Sequence, residues 1–269
     1  VDEAGRITYK PADNYSNYDG SSSTSPDTFK VLVTDDSGQT TTTNVTVNVN
    51  PVADAPTLTV VDGEVETPED TAVSLGLETP VVTDNTDQNV NTTMGDSPER
   101  LGVITLSGIP DGAALLSGTD VTLLTSNGGN ISIWLTDVDH PTDVVKPAGA
   151  MEMSSAEFET LKVLPPAESH ANFTVTVSVT SYEVDNNGAK VSGVNGATST
   201  ATVVVNVQAV TDGIDLKISD GNSFVDTSSA APVVQTIAED TALNLTNLLQ
   251  VTLATDDDGN SNADTDGCL

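Results

Sequence analysis

The residues with the most chemical potential are carboxylates, and they recur beside links between alternating strands. Asp54 lies in "VNVNPVADAPTLTV", Val47–Val60. Asp84 and Asp87 lie in "TDNTDQN", Asp185 opens "DNNG", and Glu69 and Asp70 lie in "PEDTAVSL". Asp212 closes "VNVQAVTD", and Asp256 and Asp258 fall in a late acidic run. Carboxylates gathered within a few ångströms repel one another, and protonation or solvation is the ordinary relief. A hard cation is the other. Ca²⁺ takes about six to eight oxygens from Asp, Glu, Asn and backbone carbonyls, whereas Mg²⁺ demands a tight octahedron and keeps its waters. Zinc has little support, because His140, His170 and Cys268 stand far apart in sequence.

Such a site requires elements that bring distant acids together. The alternation on either side of Asp54 reads as strands with one buried face. Pro51 cannot donate to a ladder and Pro56 biases Ala55 to extended backbone, so the link is short and stiff. Strand polarity then sorts the acids by pole. The first strand of the middle unit runs from Asp54 to Glu69–Asp70, and the next climbs back to Asp84 and Asp87. The last hairpin climbs to Asp185 and descends to Asp212. Asp54, Asp84, Asp87 and Asp185 are thus expected at one junction. Glu69, Asp70 and Asp212 are expected at the other, with Asp256 and Asp258 of the following unit.

A long repeat organises the chain. "VNVNPVADAP" returns as "VNVQAVTDGI", and "PEDTAVSL" returns as "AEDTALNL". Two markers recurring in one order indicate related units, each long enough for its own core. The gap between markers is wider in the second copy, which implies an insertion after Asp212. The predicted organisation is the C-terminal half of a sandwich over 1–53, a complete unit over 54–211, and a link with the N-terminal half of the next unit over 212–269. Strands are predicted at "TLTVV", "TAVSLGL", "GVITLSGI", "VTLLT", "ISIWL", "NFTVTVSVTSYEV" and "TSTATVVVNVQAV", separated by Gly, Pro, Asn and Asp clusters. One short helix is predicted in "SSAEFETLKVL", capped by Ser154 or Ser155, with Phe158 and Leu161 on one face. The fold class is all-β: tandem antiparallel Greek-key β-sandwiches. Half-units leave an apolar face open, so they are disordered, docked on the middle unit, or joined head to tail between molecules.

Composition narrows the partners. The chain has 269 residues, 40 acidic against 8 basic, and a net charge of −32. Nucleic acid and anionic membranes would be repelled. No apolar run is long enough to span a bilayer. One cysteine excludes an internal disulfide, so a secreted β protein of this kind needs another staple, and a metal is the obvious one. No enzymatic constellation is evident. Neither histidine sits in a nucleophile–base arrangement, no glycine loop cradles phosphate, and the carboxylate pairs lie at poles rather than in a cleft.

The segments "FKVLVTDDSGQTTTTNVTVNVNPVADAP", "EDTAVSL" and "GDSPERLGVITLSGIPDGAALLSG" resemble the cadherin-like or immunoglobulin-like repeats of giant bacterial surface adhesins of the RTX and biofilm-associated type. The resemblance covers nearly the whole chain except about Asp120–Met153. It implies an extracellular extender, held at a cell surface or secreted, whose junctions calcium stiffens and whose partners are neighbouring repeats. It places Asp54 as the linker aspartate, Glu69 as the base glutamate, and Asp84 with Asp87 as an Asp-x-Asp loop. "DNTD" spaces its acids three apart rather than two, and Gly213-Ile214 follows Asp212 where Ala55-Pro56 follows Asp54, so the second junction is expected to be looser. The unmatched segment contains "TDVDHPTD", read as a solvated acidic loop, and Trp134, read as core. Two other functions stand beside the extender. One is a module binding carbohydrate or a cell surface through that segment. The other is an accessory domain of a secreted polysaccharide-degrading enzyme.

Overall fold

The computed structural model describes residues 5–17, 26–84, 98–185, 187–210, 214–219, 224–226, 238–240, 242 and 249–253. Alternation becomes strand wherever a face can be buried. β1 (Asp27–Thr34) and β2 (Thr40–Val47) form the expected hairpin. Asp35 closes its turn, accepting the N–H of Ser37 at 2.9 Å and of Gln39 at 2.8 Å. The Ser37 hydroxyl also donates to it at 2.7 Å, and that bond, followed by the one from Gln39 N–H, holds its carboxyl below the usual range.

The middle of the chain is a two-layer sandwich. Its first sheet has the order β4 (Val73–Ser74), β10 (Lys162–Leu164), β6 (Asp111–Leu116), β7 (Thr122–Asn127). Its second has the order β3 (Glu64–Pro68), β12 (Ala197–Gln208), β11 (Phe173–Glu183), β5 (Glu99–Ser107), β8 (Ile131–Leu135), β9 (Met151–Met153). The pairings are antiparallel except at the second sheet's two edges, where β3 lies parallel to β12 and β9 parallel to β8. Beyond it, β13 (Ile214–Ser219), β14 (Phe224–Asp226) and β15 (Leu249–Leu253) form a separate three-stranded sheet. The described residues are therefore all-β with one short helix, as the alternation predicts.

The core lies between the two layers. Leu106, Ile133, Val175, Val177, Val203 and Val205 descend from one sheet, and Leu75, Leu115 and Val163 rise from the other, all fully buried or nearly so. Each such side chain contributes roughly 1.5–3 kcal/mol relative to exposure. The helix α1 (Ser155–Glu159) plugs one side with Phe158. Ser154 is its cap and forms a reciprocal box with Glu157, whose side chain accepts from the Ser154 N–H at 2.7 Å.

Several sequence expectations shift. "TLTVV" is not a strand: Thr57 and Val60 make single bridges to Val81 and Leu77, after which the chain crosses to the other sheet as β3. "TAVSLGL" contributes only Val73–Ser74. The predicted helix gives up its C-terminal part, because Lys162–Leu164 pairs with β4 and β6. β3, β6, β9 and β10 had no predicted counterpart. A further repeat marker emerges instead. Asn17 Oδ1 accepts the N–H of Val49 at 2.7 Å, and Asn172 Oδ1 accepts that of Val207 at 2.8 Å. Val49 and Val207 are equivalent in the repeated "VNV" segments, so "TYKPADNYSN" and "VLPPAESHAN" correspond although they share few residues.

Gly108 ends β5 at φ 80, where a Cβ would meet the Thr174 carbonyl oxygen at 2.1 Å. Gly108→Ala is expected to destabilise the sandwich by about 1–3 kcal/mol, read as a lower midpoint with unchanged slope in urea denaturation.

Candidate functional site

The upper pole forms where β5 begins and β11 ends. In the antiparallel register Glu99 and Glu183 stand directly opposite each other. Both are buried, and buried Asp84 lies alongside. Like charges opposite each other in a strand pair are unfavourable even at a wet surface. Here Asp84 Oδ1 and Glu183 Oε2 are sealed from solvent. The backbone fixes this arrangement: Glu99 N–H donates to the Asp84 carbonyl at 2.6 Å, and Val184 N–H to the Pro98 carbonyl at 2.9 Å.

Glu99 also clasps the incoming link. One of its oxygens accepts the N–H of Asp54; the other accepts the Thr83 hydroxyl at 3.2 Å and the Asp84 N–H at 3.4 Å. The Ser181 hydroxyl donates to the Asp54 carbonyl. Burial pushes the Glu99 carboxyl above its usual range; the three hydrogen bonds oppose that, and the charge of Asp54 adds to it. Beside this cluster a cleft of about 240 Å³ runs between Glu183, Asp54 and the Asn14–Ser16 turn of the preceding segment.

The lower pole repeats the clasp. Buried Glu69 accepts the N–H of Val210 in the outgoing link, and its own N–H donates to the Gln208 carbonyl at 2.9 Å. Asp70 follows at φ 56, exposed, and accepts the Glu168 N–H at 3.2 Å. At each pole, therefore, a buried glutamate holds the backbone of the link.

The predicted residues divide accordingly. Asp54 and Asp84 converge on Glu99, and Glu69 meets the outgoing link. Asp185 reaches the upper pole but serves its own turn, accepting from Asn187 N–H at 2.8 Å and Ala189 N–H at 3.0 Å. Asp87, Asp212, Asp256 and Asp258 lie outside the described residues. Sequence reasoning missed Glu99 and Glu183. Parity would have found Glu183, since it shares the inward phase of Val175, Val177 and Val179 along β11.

The donor set is all oxygen and in negative excess, with Glu69, Asp84, Glu99 and Glu183 buried and Asp54 and Asp70 exposed, which fits a hard cation. Among the described residues no three His, Cys, Asp or Glu side chains form a closed metal-binding group. The described carboxylates thus supply donor chemistry and charge imbalance rather than a finished coordination shell.

The unmatched segment is held by structural contacts. Asp137 accepts the Ser155 N–H at 2.8 Å, and this bond holds its carboxyl below the usual range. Asp143 accepts the Lys190 N–H at 2.9 Å. Trp134, expected in the core, instead alternates out of phase with buried Ile133 and Leu135 and lies half-buried on the sheet's outer face. His140 stacks on it with centroids 3.7 Å apart, and its ring nitrogens meet the Leu101 and Leu135 carbonyls at 2.7 and 2.8 Å. One face of the indole is therefore taken by the protein itself.

No protein-family model matches the chain, and a search of curated proteins returns no match. Among the described residues no helix is long and apolar enough to cross a membrane.

Two expectations follow. A folded pKa above the unfolded one means that ionised Glu99 disfavours folding at neutral pH, an effect that fades as pH falls towards about 4.3. Glu99→Gln should therefore raise Tm in chelator at pH 7, lose that advantage near pH 4, and blunt any gain from calcium; melts across pH with and without calcium check this. His140→Ala should uncover the sole tryptophan, seen as a red-shifted emission maximum, and lower stability by about 1–2 kcal/mol.

Proposed function

We propose that this chain is a non-catalytic, calcium-stiffened extender segment of a bacterial surface or secreted adhesin, with its sandwiches as spacers and its carboxylate junctions as the adjustable parts. The observation that supports this most is the pair of buried glutamates facing each other across β5 and β11, with Asp84 and the Asp54 link beside them. A cation would relieve that repulsion, and it would do so at the point where one unit passes to the next. Asp54, Asp84, Glu99 and Glu183 would hold it at the upper pole, and Glu69 with Asp70 at the lower. Bound there, the ion supplies charge neutralisation and a cross-link.

The chain's own residues do the rest. Glu99 and Glu69 fix the backbone of the links, Ser181 fixes the Asp54 carbonyl, and the two layers hold the poles apart. The resemblance to RTX and biofilm-associated adhesin repeats supports the extracellular setting, where free calcium is abundant. At micromolar affinity and millimolar calcium, mass action would add about 4 kcal/mol to the bound form.

Thermal melts and small-angle scattering in calcium, in magnesium and in chelator test the reading. Calcium should raise Tm by many degrees and lengthen the particle, with magnesium far less effective. Identical melts and scattering profiles in all three conditions would refute it.

A further inference from the structure

Between the edge strand β3 and residues 73–81 runs a groove of about 920 Å³. Val65, Val73 and the nearly buried Leu77 give it an apolar floor, and Val61 and Val81, which also line it, are 65% and 54% exposed. Its charged lining has one sign. Asp62, Glu64 and Glu66 come from the β3 side and Glu78 and Glu159 from the other, and among the described residues no basic side chain lines it. β3 is a regular edge. Its pairing with β12 runs unbroken from Glu64 to Pro68, and among the described residues no strand lies on its other side. The Gly63 carbonyl accepts the Val204 N–H, and Glu69 N–H donates to the Gln208 carbonyl, both at 2.9 Å. Odd-numbered residues thus turn their backbone groups to β12, and Glu64 and Glu66 turn theirs to the open edge. Side chains alternate the other way. Val65 and Thr67 point inward, while Glu64 and Glu66 lie exposed beside the Asn206 and Gln208 amides that donate to them.

We propose that this groove docks an extended basic segment of a partner protein, which adds to β3 as a further strand. The backbone groups of Glu64 and Glu66 supply the ladder, the mode in which main-chain bonds give affinity and alternate side chains give specificity. Parity and charge then specify the occupant. Side chains of the added strand that lie beside Val65 enter the groove over Val73 and Leu77, so they are apolar. Those beside Glu64 and Glu66 stand on the outer face next to two carboxylates, so they are lysine or arginine. Charges on an edge strand ordinarily discourage pairing. Here they turn away acidic strands, including any second copy of a chain of net charge −32, and leave the edge open to a basic one. The site uses no junction carboxylate, so it goes beyond the extender reading and does not require the cation.

Fluorescence anisotropy with a labelled peptide of alternating lysine and valine tests this, in chelator at about 0.15 M salt. A control peptide of the same composition carries its lysines and valines in two blocks. The alternating peptide should bind about ten-fold tighter than the block peptide, because only it can place every lysine outside and every valine inside while forming the ladder. Glu66→Lys should weaken it about ten-fold. Glu78→Lys, on the opposite wall, should weaken it as well without altering β3. Asp36→Lys makes the same charge change on the exposed β1–β2 turn, away from the groove, and should leave binding near wild type. Equal binding of the two peptides would overturn the proposal, as would the absence of saturable binding. Equal weakening by Asp36→Lys and by the two groove variants would also overturn it, since net charge alone would then draw the peptide.

Discussion

The upper pole is organised around two buried glutamates that stand opposite each other in a strand pair. Glu99 and Glu183 occupy opposite register positions at the end of the β5–β11 pairing, which lies at the centre of the six-stranded sheet. Burying an ionised carboxylate is among the least favourable steps a fold can take unless a partner neutralises it. Backbone and hydroxyl donors around Glu99 offset part of that penalty. The incoming link at Asp54 is attached to the same carboxylate, so the electrostatic state of the pole and the position of the preceding segment are one variable.

The two poles use one device with different surroundings. Above, the clasping glutamate stands beside further buried acids. Below, Glu69 is accompanied by an exposed Asp70 whose oxygen is engaged by the Glu168 backbone. The upper link thus concentrates charge and the lower link, as far as it is described, disperses it. The sequences of the two links differ as well, Gly213-Ile214 following Asp212 where Ala55-Pro56 follows Asp54.

Strand alternation made the fold class legible, and of the predicted acids that are described it brought Asp54 and Asp84 to one end of the sandwich and Glu69 to the other. β11 and β12 are long, strictly alternating and buried on one face, so pattern and structure coincide. The short strands were hidden for physical reasons. β9 and β10 have three residues each, too few to show a period. β3 begins in a polar run and is held by its neighbour rather than by its own pattern. At the site, attention to acids in loops favoured Asp185, whose turn consumes it. It passed over Glu99 and Glu183, which look like ordinary strand residues; counting phase along β11 recovers Glu183, whereas the register shift in β5 puts Glu99 out of step with Ile104 and Leu106. Trp134 failed by the same test: its phase places it outside, whatever the usual habits of tryptophan.

The parallel pairing of β3 with β12 has a mechanical meaning. The chain enters the sandwich at the upper pole and feeds β3; it leaves at the lower pole from the end of β12. Tension along the molecule therefore drags these neighbours past each other lengthwise, and the hydrogen bonds between them resist together rather than opening one after another like a zip. A module wired in this way yields late and abruptly under load, a property set by topology before any ion binds.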